Sequence, residues 1–463
     1  MRLDAAGWWL REAPPPCLPA PGLAARRSFD VVVIGGGYTG MWTAWYLMAL
    51  APGASVALIE AGRCGEGPSG RNGGFVNAMW ASAPTLIEQL GRVDARSVAL
   101  LARDSVAAIG EWCEAEGVDA WFRAAGYLEV SAAPAQDAVA RRQIDACAEL
   151  GQPEAAICLE PQSVRARCAS PVFRGGVLFG DGASVQPARL ARGLRERIIS
   201  AGVSVAENTS ARVAQTPAGL VVDASGERIR AGAVVLAIGG ATVTEPGFRR
   251  ALTNTSSHIV ITEPVPDLLE QIGWVGGEAI TDARSMVHYF RTTPDGRIAF
   301  GWGGGPIAYG ARIGGRAERD RKQAAAVEQH LYRFFPALRG RTIEHAWGGP
   351  IDVSPSHLPV IRSVGPNLFA GFGYTGHGVG PSRMVARSLA SLALVRRDQA
   401  ARLPLIDLAA RPLPPEPLRW IGGTVIRGAI VRQERLQEEG RSVDRLTRAI
   451  CAIPAKIGVR IGR

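Results

Sequence analysis

Three rhythms of apolar and polar positions alternate along this chain. Short runs without a polar face, Asp30-Val31-Val32-Val33-Ile34 and Ser55-Val56-Ala57-Leu58-Ile59, flank a helical-looking stretch from Met41 to Leu50. Such runs predict strands buried on both faces of a parallel sheet. Helical spacing at Leu86, Ile87, Leu90, Val98, Leu101, Val106 and Ile109 predicts a helix over Thr85 to Glu116. Further helices are expected over 135–151, 188–201, 317–334 and 382–394. Strands are expected at 126–130, 203–205, 220–224 and 233–238. Period-two alternation governs 253–304, as in His258-Ile259-Val260-Ile261 and Met286 to Arg291, with a Pro294-Asp295-Gly296 turn before Arg297 to Phe300. That pattern predicts an antiparallel sheet.

The first apolar run leads into Gly35-Gly36-Gly37-Tyr38-Thr39-Gly40, and the second closes on Glu60. Strand, glycine turn, helix, strand and acid follow in the order of a dinucleotide-binding unit. Gly35 suits the tight turn, Gly37 the approach of a pyrophosphate, and Gly40 the close packing of helix on strand. The helix start at Tyr38 and Thr39 offers N–H groups to phosphate, and Glu60 suits an adenosine ribose. Beyond it, Ala61 to Gly74 reads AGRCGEGPSGRNGG. A segment so dense in glycine, with Ser69, Gly70, Arg71, Asn72, Gly73 and Gly74, exposes amides and a guanidinium to an anion.

These motifs resemble the D-amino-acid oxidase superfamily of FAD enzymes, nearest the γ-glutamylputrescine oxidoreductase and aminophosphonate oxidoreductase branches. The resemblance rests on Trp9-Leu10, on GGGYTGMWTA at Gly35 to Ala44, and on Cys64 to Gly74. It implies an α/β fold, α+β overall: a Rossmann-like FAD-binding domain of the glutathione-reductase type with an inserted antiparallel β-sheet substrate domain. It implies FAD domain segments at 1–110, 182–245 and 345–410, substrate domain segments at 111–181 and 246–344, and a basic extension at 411–463. Asp181 to Pro187 is similar to the family turn that returns to the FAD domain. By the same resemblance Ala61, Gly239, Gly371, Gly376, His377, Gly378 and Val379 join the cofactor-binding set, the last four closing over the pyrimidine edge of the flavin.

Composition narrows this picture without redirecting it. The chain has 463 residues, enough for two or three domains, and 47% hydrophobic content, ample for sizeable cores. No run of eighteen apolar residues suggests an integral membrane span, and Met1 to Glu12 lacks the apolar core of a signal peptide. Seven cysteines without CxxC spacing suit a reducing cytoplasm. The net charge of +10 comes with no basic run interleaved with aromatics, so nucleic acid is not an expected partner, and no metal is expected. Arg2 to Arg27 reads as a Pro-rich lead packed over the first domain. Residues 411–463, with eleven arginines and lysines against five acids, read as a basic surface tail without sustained helical spacing.

Several absences shape the expected chemistry. Gly301-Trp302-Gly303-Gly304-Gly305 is spoiled as a second nucleotide motif by Pro306. Gly371-Phe372-Gly373 lacks the acid of the related flavin monooxygenases. Ala299 stands where sarcosine-oxidase relatives keep an oxygen-activating lysine. Asn72 stands where another branch anchors its flavin to histidine, and no cysteine lies between Cys168 and Cys451. Non-covalent FAD is therefore expected. The candidate catalytic residues are His377, His258, Tyr289 and Arg291; period two puts Tyr289 and Arg291 on one face and His288 on the other. Arg291 is a candidate for an anionic end of the substrate, with a structural ion pair as the competing role. The expected reaction is oxidation of a C–N bond in a small amine, amino acid or aminophosphonate, with oxygen or a quinone or other carrier as acceptor. A non-catalytic flavin protein is the third reading.

Overall fold

The computed structural model describes residues 1–23 and 26–461. Ala24 and Ala25 in the lead, and Gly462 and Arg463 in the tail, lie outside the described residues. The chain is mixed α/β and builds two large sheets. In the first, the strand Ser28–Ile34 lies between Glu227–Leu236 and Val56–Ile59, all parallel, with Ser204–Ala206 beyond. The first half of Glu227–Leu236 pairs with Gly219–Ala224 and its end with Leu368–Phe372. Val31, Val32 and Val33 are each essentially inaccessible, as an apolar run in a central parallel strand requires. The helix Tyr38–Leu50 packs on Val379–Ala393 beside this sheet. A Cβ on Gly40 would stand 1.8 Å from the Gly35 carbonyl oxygen, so only glycine lets the helix come so close.

The second sheet has nine strands in the order Arg2–Leu3, Ile343–Val353, Thr253–Thr262, Ile298–Trp302, His288–Thr292, Ala279–Asp282, Tyr127–Val130, Gly176–Phe179, Ile157–Leu159. Residues 253–304 contribute antiparallel neighbours, as their alternation predicts. Two parallel pairs, Arg2–Leu3 with Ile343–Val353 and Ala279–Asp282 with Tyr127–Val130, make the whole sheet mixed. A separate ribbon, Phe75–Asn77 with Gly182–Ser184, ties the glycine-rich loop to the Asp181 to Pro187 turn.

Three expectations need correction. The helix expected from Ser382 is Val379–Ala393, because Pro381 sits in its first turn, where no N–H is missed. The helix expected from Ala317 is Arg321–Phe334; Asp320 caps it by accepting from Lys322 and Gln323 N–H. The largest difference is the tail, which forms the helix Leu418–Glu438 and two short helices, Arg445–Cys451 and Ile453–Lys456. Gly422, Gly423 and Gly428 dilute its periodicity, but distant partners hold it. Arg419 donates to the carbonyls of Arg249 (2.8 Å) and Leu252 (3.1 Å), and Glu434 accepts from Ser285 N–H (2.8 Å) and Met286 N–H (3.1 Å). The lead also does more than cover the first sheet. It adds Arg2–Leu3 to the second sheet, and its Trp9 packs edge-on against Trp347 at 6.0 Å. Among the described residues no helix is long and apolar enough to cross a membrane.

Candidate functional site

The first sheet delivers the glycine turn to one end of a cavity. Gly35 leaves the strand with φ +108°, a conformation open to glycine, while its N–H holds Ile59 O at 2.8 Å. Glu60 then faces the turn: its carboxylate accepts from Gly36 N–H at 2.6 Å and Gly62 N–H at 2.8 Å. At the helix start, Ser69 Oγ accepts from Tyr38 N–H at 2.9 Å. The N–H groups of Thr39 and Gly40, in the first turn, have no carbonyl within the helix to bond. The positive end of the helix dipole therefore stands beside the Ser69 loop, an arrangement that favours an anion.

That loop is braced from within. Asn72 Nδ2 donates to Ser69 O at 2.8 Å, and its Oδ1 accepts from Gly74 N–H at 2.7 Å. Arg71 departs from expectation. Its guanidinium is buried, donates to Ala5 O and pairs with Glu318 at 3.0 Å, so its charge is already matched within the protein. Its carbonyl accepts from Trp347 Nε1 at 2.8 Å, which clamps the loop to the second sheet.

A single cavity of about 900 Å³ runs from these loops to the second sheet and the tail. Of the residues expected at a cofactor, it is lined by Gly35, Gly37, Tyr38, Thr39, Glu60, Ala61, Ser69, Arg71, Asn72, Gly73, Gly239, Gly376, His377, Gly378 and Val379. Gly40, Gly70, Gly74 and Gly371 stand behind that lining as packing positions. A Cβ on Gly371, for example, would come 2.7 Å from the Leu389 side chain of the helix beneath.

The four candidate catalytic residues divide evenly. Tyr289 and His377 line the cavity. The Tyr289 hydroxyl meets Ser257 Oγ at 2.5 Å, and Ser257 donates to Trp302 O at 3.0 Å. Burial pushes the phenol well above its ordinary pKa, so it stays protonated. His377 Nδ1 lies 3.0 Å from Thr375 O. His258 is buried outside the lining, on the far face of its strand, where a Cβ on Gly348 would touch its ring. Its neighbours Ser257 and Ile259 face the cavity instead. Arg291 is also corrected. It is 2% exposed, donates to the carbonyls of Gly74 (3.2 Å) and Val185, and lies over the Trp9 ring. It holds the loop to the sheet and does not reach the cavity, and burial draws its pKa down to about 9. His288 faces the opposite side, as period two requires, bonded to Asp282 (2.7 Å) and His330 (2.8 Å).

Two parts of the lining escape sequence reasoning. Asp352, beside Gly239, accepts from Gly373 N–H at 2.6 Å, and burial pushes its carboxyl up to about 6. A strand pattern that ended on an acid was its only signal. The other part is the tail, which contributes Leu418, Gly423, Ile426, Arg427 and Ile457 to the wall.

The donor set fits a dinucleotide. An anion-favouring helix start, an acid poised at the adjacent strand end and a glycine cradle share one wall. Asn77 Oδ1, buried in the same wall, has no hydrogen-bond partner among the described residues and is available to a ligand donor. Comparison with known proteins agrees. Residues 30–392 match the family described as DAO, FAD dependent oxidoreductase. The chain is similar to probable oxidoreductase OrdL of Rhizobium meliloti (strain 1021), 29% identical over 89% of this chain and 91% of that protein. It is 28% identical to the gamma-glutamylputrescine oxidoreductase of Escherichia coli (strain K12), over 81% of this chain and 86% of that one. Among solved structures, glycine oxidase from Bacillus cereus shares the fold with a TM-score of 0.66 at 19% identity, over 83% of this chain and all of its own. L-proline dehydrogenase from P. horikoshii does so with the same TM-score at 18% identity, over 82% of this chain and 98% of its own.

Proposed function

The chain belongs to the DAO family of FAD-dependent oxidoreductases, and on that premise we propose that it oxidises the C–N bond of a small amine, amino acid or aminophosphonate. The observation that carries this reading is the single cavity joining the Glu60 and Ser69 wall to the second sheet at Tyr289 and Ser257. A substrate held under that sheet lies in the same space as a dinucleotide on the loops. FAD, when bound, supplies a two-electron hydride acceptor, and the resulting imine hydrolyses in water.

The residues of the chain bind and orient. Glu60 would hold the ribose of the cofactor, the first turn at Thr39 its pyrophosphate, and the Gly376 to Val379 segment its ring. Tyr289 stays protonated and, with Ser257, gives a polar anchor on the second sheet. Ile259, Met286 and Ile351 keep the surroundings apolar. A free alkylamine has a pKa near that of lysine, ~10.4, and an apolar, water-poor site lowers it and keeps the amine neutral. His377 contacts the cofactor and is not required as a base. The FAD is held without a covalent bond, because Asn72 stands where another branch has its anchoring histidine and no cysteine lies between Cys168 and Cys451.

A quinone or carrier is favoured over oxygen as acceptor by Ala299. It stands where sarcosine-oxidase relatives keep an oxygen-activating lysine, and it lies in a buried cluster with Trp9 and Trp347, outside the cavity lining. Anaerobic titration of the holoenzyme with amines, amino acids and aminophosphonates tests the main reading through bleaching of the flavin absorbance, whatever the acceptor. A holoenzyme that no amine bleaches, yet dithionite does, would refute it.

A further inference from the structure

Six arginines line the cavity among the described side chains, and their counter-ions differ in one case. Arg63 has Glu66 at 3.9 Å, Arg71 has Glu318 at 3.0 Å, Arg284 has Asp282 at 2.7 Å, Arg419 has Glu416 at 2.9 Å, and Arg460 pairs with Glu88. Arg427 has no carboxylate within ion-pair distance among the described residues. Its Nε donates to Gly304 O and Gly305 O, both at 2.8 Å, and its Nη2 to Gly304 O. Those carbonyls fix the guanidinium beneath the end of the strand Ile298–Trp302 and leave Nη1 without a partner among the described residues. With only neutral acceptors and an unused edge in the cavity wall, this cation can take an anion from the cavity, whereas Arg291, also without a carboxylate, is sealed behind the lining. The remaining edge of a planar fork matches two oxygens of a carboxylate or phosphonate.

We propose that Arg427, on the tail helix, binds the anionic group of the substrate, a carboxylate or a phosphonate. The site lies beyond residue 392, where the match to the family ends, so it belongs to the extension of this chain. It takes over the part that the sequence suggested for Arg291, whose guanidinium is spent on Gly74 and Val185. The tail brings Arg427 to the cavity because Glu434, two turns on, is fixed to Ser285 and Met286, themselves cavity residues. The amine to be oxidised and the anion therefore belong to one molecule, whose length spans the distance from the second sheet to the tail. This rests on the amine reading only for the identity of that molecule, and anion binding is measurable without turnover.

The test uses holoenzyme, wild type and Arg427→Gln, a change that removes the charge and keeps an N–H donor for the Gly304 carbonyl. Acetate and methylphosphonate are titrated separately, with the flavin difference spectrum and calorimetry as readouts. Wild type should bind at least one of them, the tighter one identifying the anion class, and R427Q should bind it at least tenfold more weakly. With substrates, R427Q should raise KM for an anionic amine at least tenfold and leave that for an uncharged-tail alkylamine within twofold. R427K should recover part of the loss. Wild-type enzyme that binds neither anion, or a variant that weakens charged and uncharged amines alike, would overturn the assignment. If no amine is oxidised but R427Q still abolishes anion binding, the proposed reaction fails and the subsite stands.

Discussion

Replacing Glu60 by alanine isolates the acid that ends the second strand. In the structure its two oxygens accept from Gly36 and Gly62 N–H at 2.6 and 2.8 Å, so the carboxylate holds both sides of the turn proposed to receive the ribose. Glu60→Ala removes the proposed ribose acceptor and releases those two amides. A hydrogen bond to a charged group contributes roughly 1.5–3 kcal/mol. The loss corresponds to a rise of about 10- to 150-fold in the FAD dissociation constant. Glu60→Gln is the sharper probe: one amide oxygen can still accept, but the amide NH2 faces a backbone donor, so an intermediate loss is expected. The assay is quenching of free FAD fluorescence on titration with apoprotein, alongside thermal unfolding of the same apoprotein. Loss of affinity at an unchanged apoprotein midpoint assigns the effect to the ribose. A dissociation constant within twofold of wild type in Glu60→Ala would refute the role of the acid.

Arg291→Met should lower stability by about 2–4 kcal/mol, since two buried carbonyls lose a charged donor; denaturant unfolding checks it, and a selective rise in KM for anionic substrates without destabilisation would contradict the structural role. Glu434 is raised by burial to about 7 from an ordinary 4.5. Its protonated form is thus favoured in the folded state, and the stability it contributes is complete below about 4.5 and lost as pH rises through about 7. Thermal midpoints taken across that window should fall less steeply with pH in Glu434→Gln, and equal slopes would remove Glu434 as the cause. Acid precipitation should leave all yellow colour in the supernatant; colour in the pellet would mean a covalent link. Dithionite-reduced enzyme mixed with aerated buffer should reoxidise slowly and a quinone should speed it, because Ala299 replaces the lysine that activates oxygen in the sarcosine-oxidase relatives; reoxidation as fast as a dedicated oxidase would reject the carrier reading.

How much of this was legible in the sequence depended on the range over which each feature is determined. The strand, glycine turn, helix and acid from Asp30 to Glu60 are set by local sterics and apolar runs, and all of them form as the pattern implies. The alternation in 253–304 gave the strands and also the relative facing of Tyr289 and His288. Periodicity could not say what each face would meet. Arg291 shares a face with Tyr289, yet two residues along the strand the cavity has ended and the carbonyls of Gly74 and Val185 begin. His258 failed for the complementary reason, lying on the far face while Ser257 and Ile259 took the cavity. Asp352 could not be read because its raised pKa comes from burial, which no local pattern encodes.

The tail shows why composition misled at the point closest to specificity. Its arginines suggested a solvated surface, but Arg419 caps the carbonyls of Arg249 and Leu252, and Arg427 those of Gly304 and Gly305. Guanidinium groups here serve as multidentate donors to backbone oxygens left open by irregular loops, which a lysine could not satisfy in the same planar way. That accounts physically for a positively charged helix lying in a cavity wall. It also couples two segments remote in sequence: Glu434 binds the backbone of Ser285 and Met286, while Arg284, one residue earlier, pairs with Glu438 on the same helix. A change in tail position must therefore move the 284–287 loop, and both line the cavity. This part of the cavity wall is thus one mechanical unit built from two stretches of chain. Exchanging the tail between relatives without the 284–287 loop should leave its carboxylates unpaired, and exchanging both together should restore them.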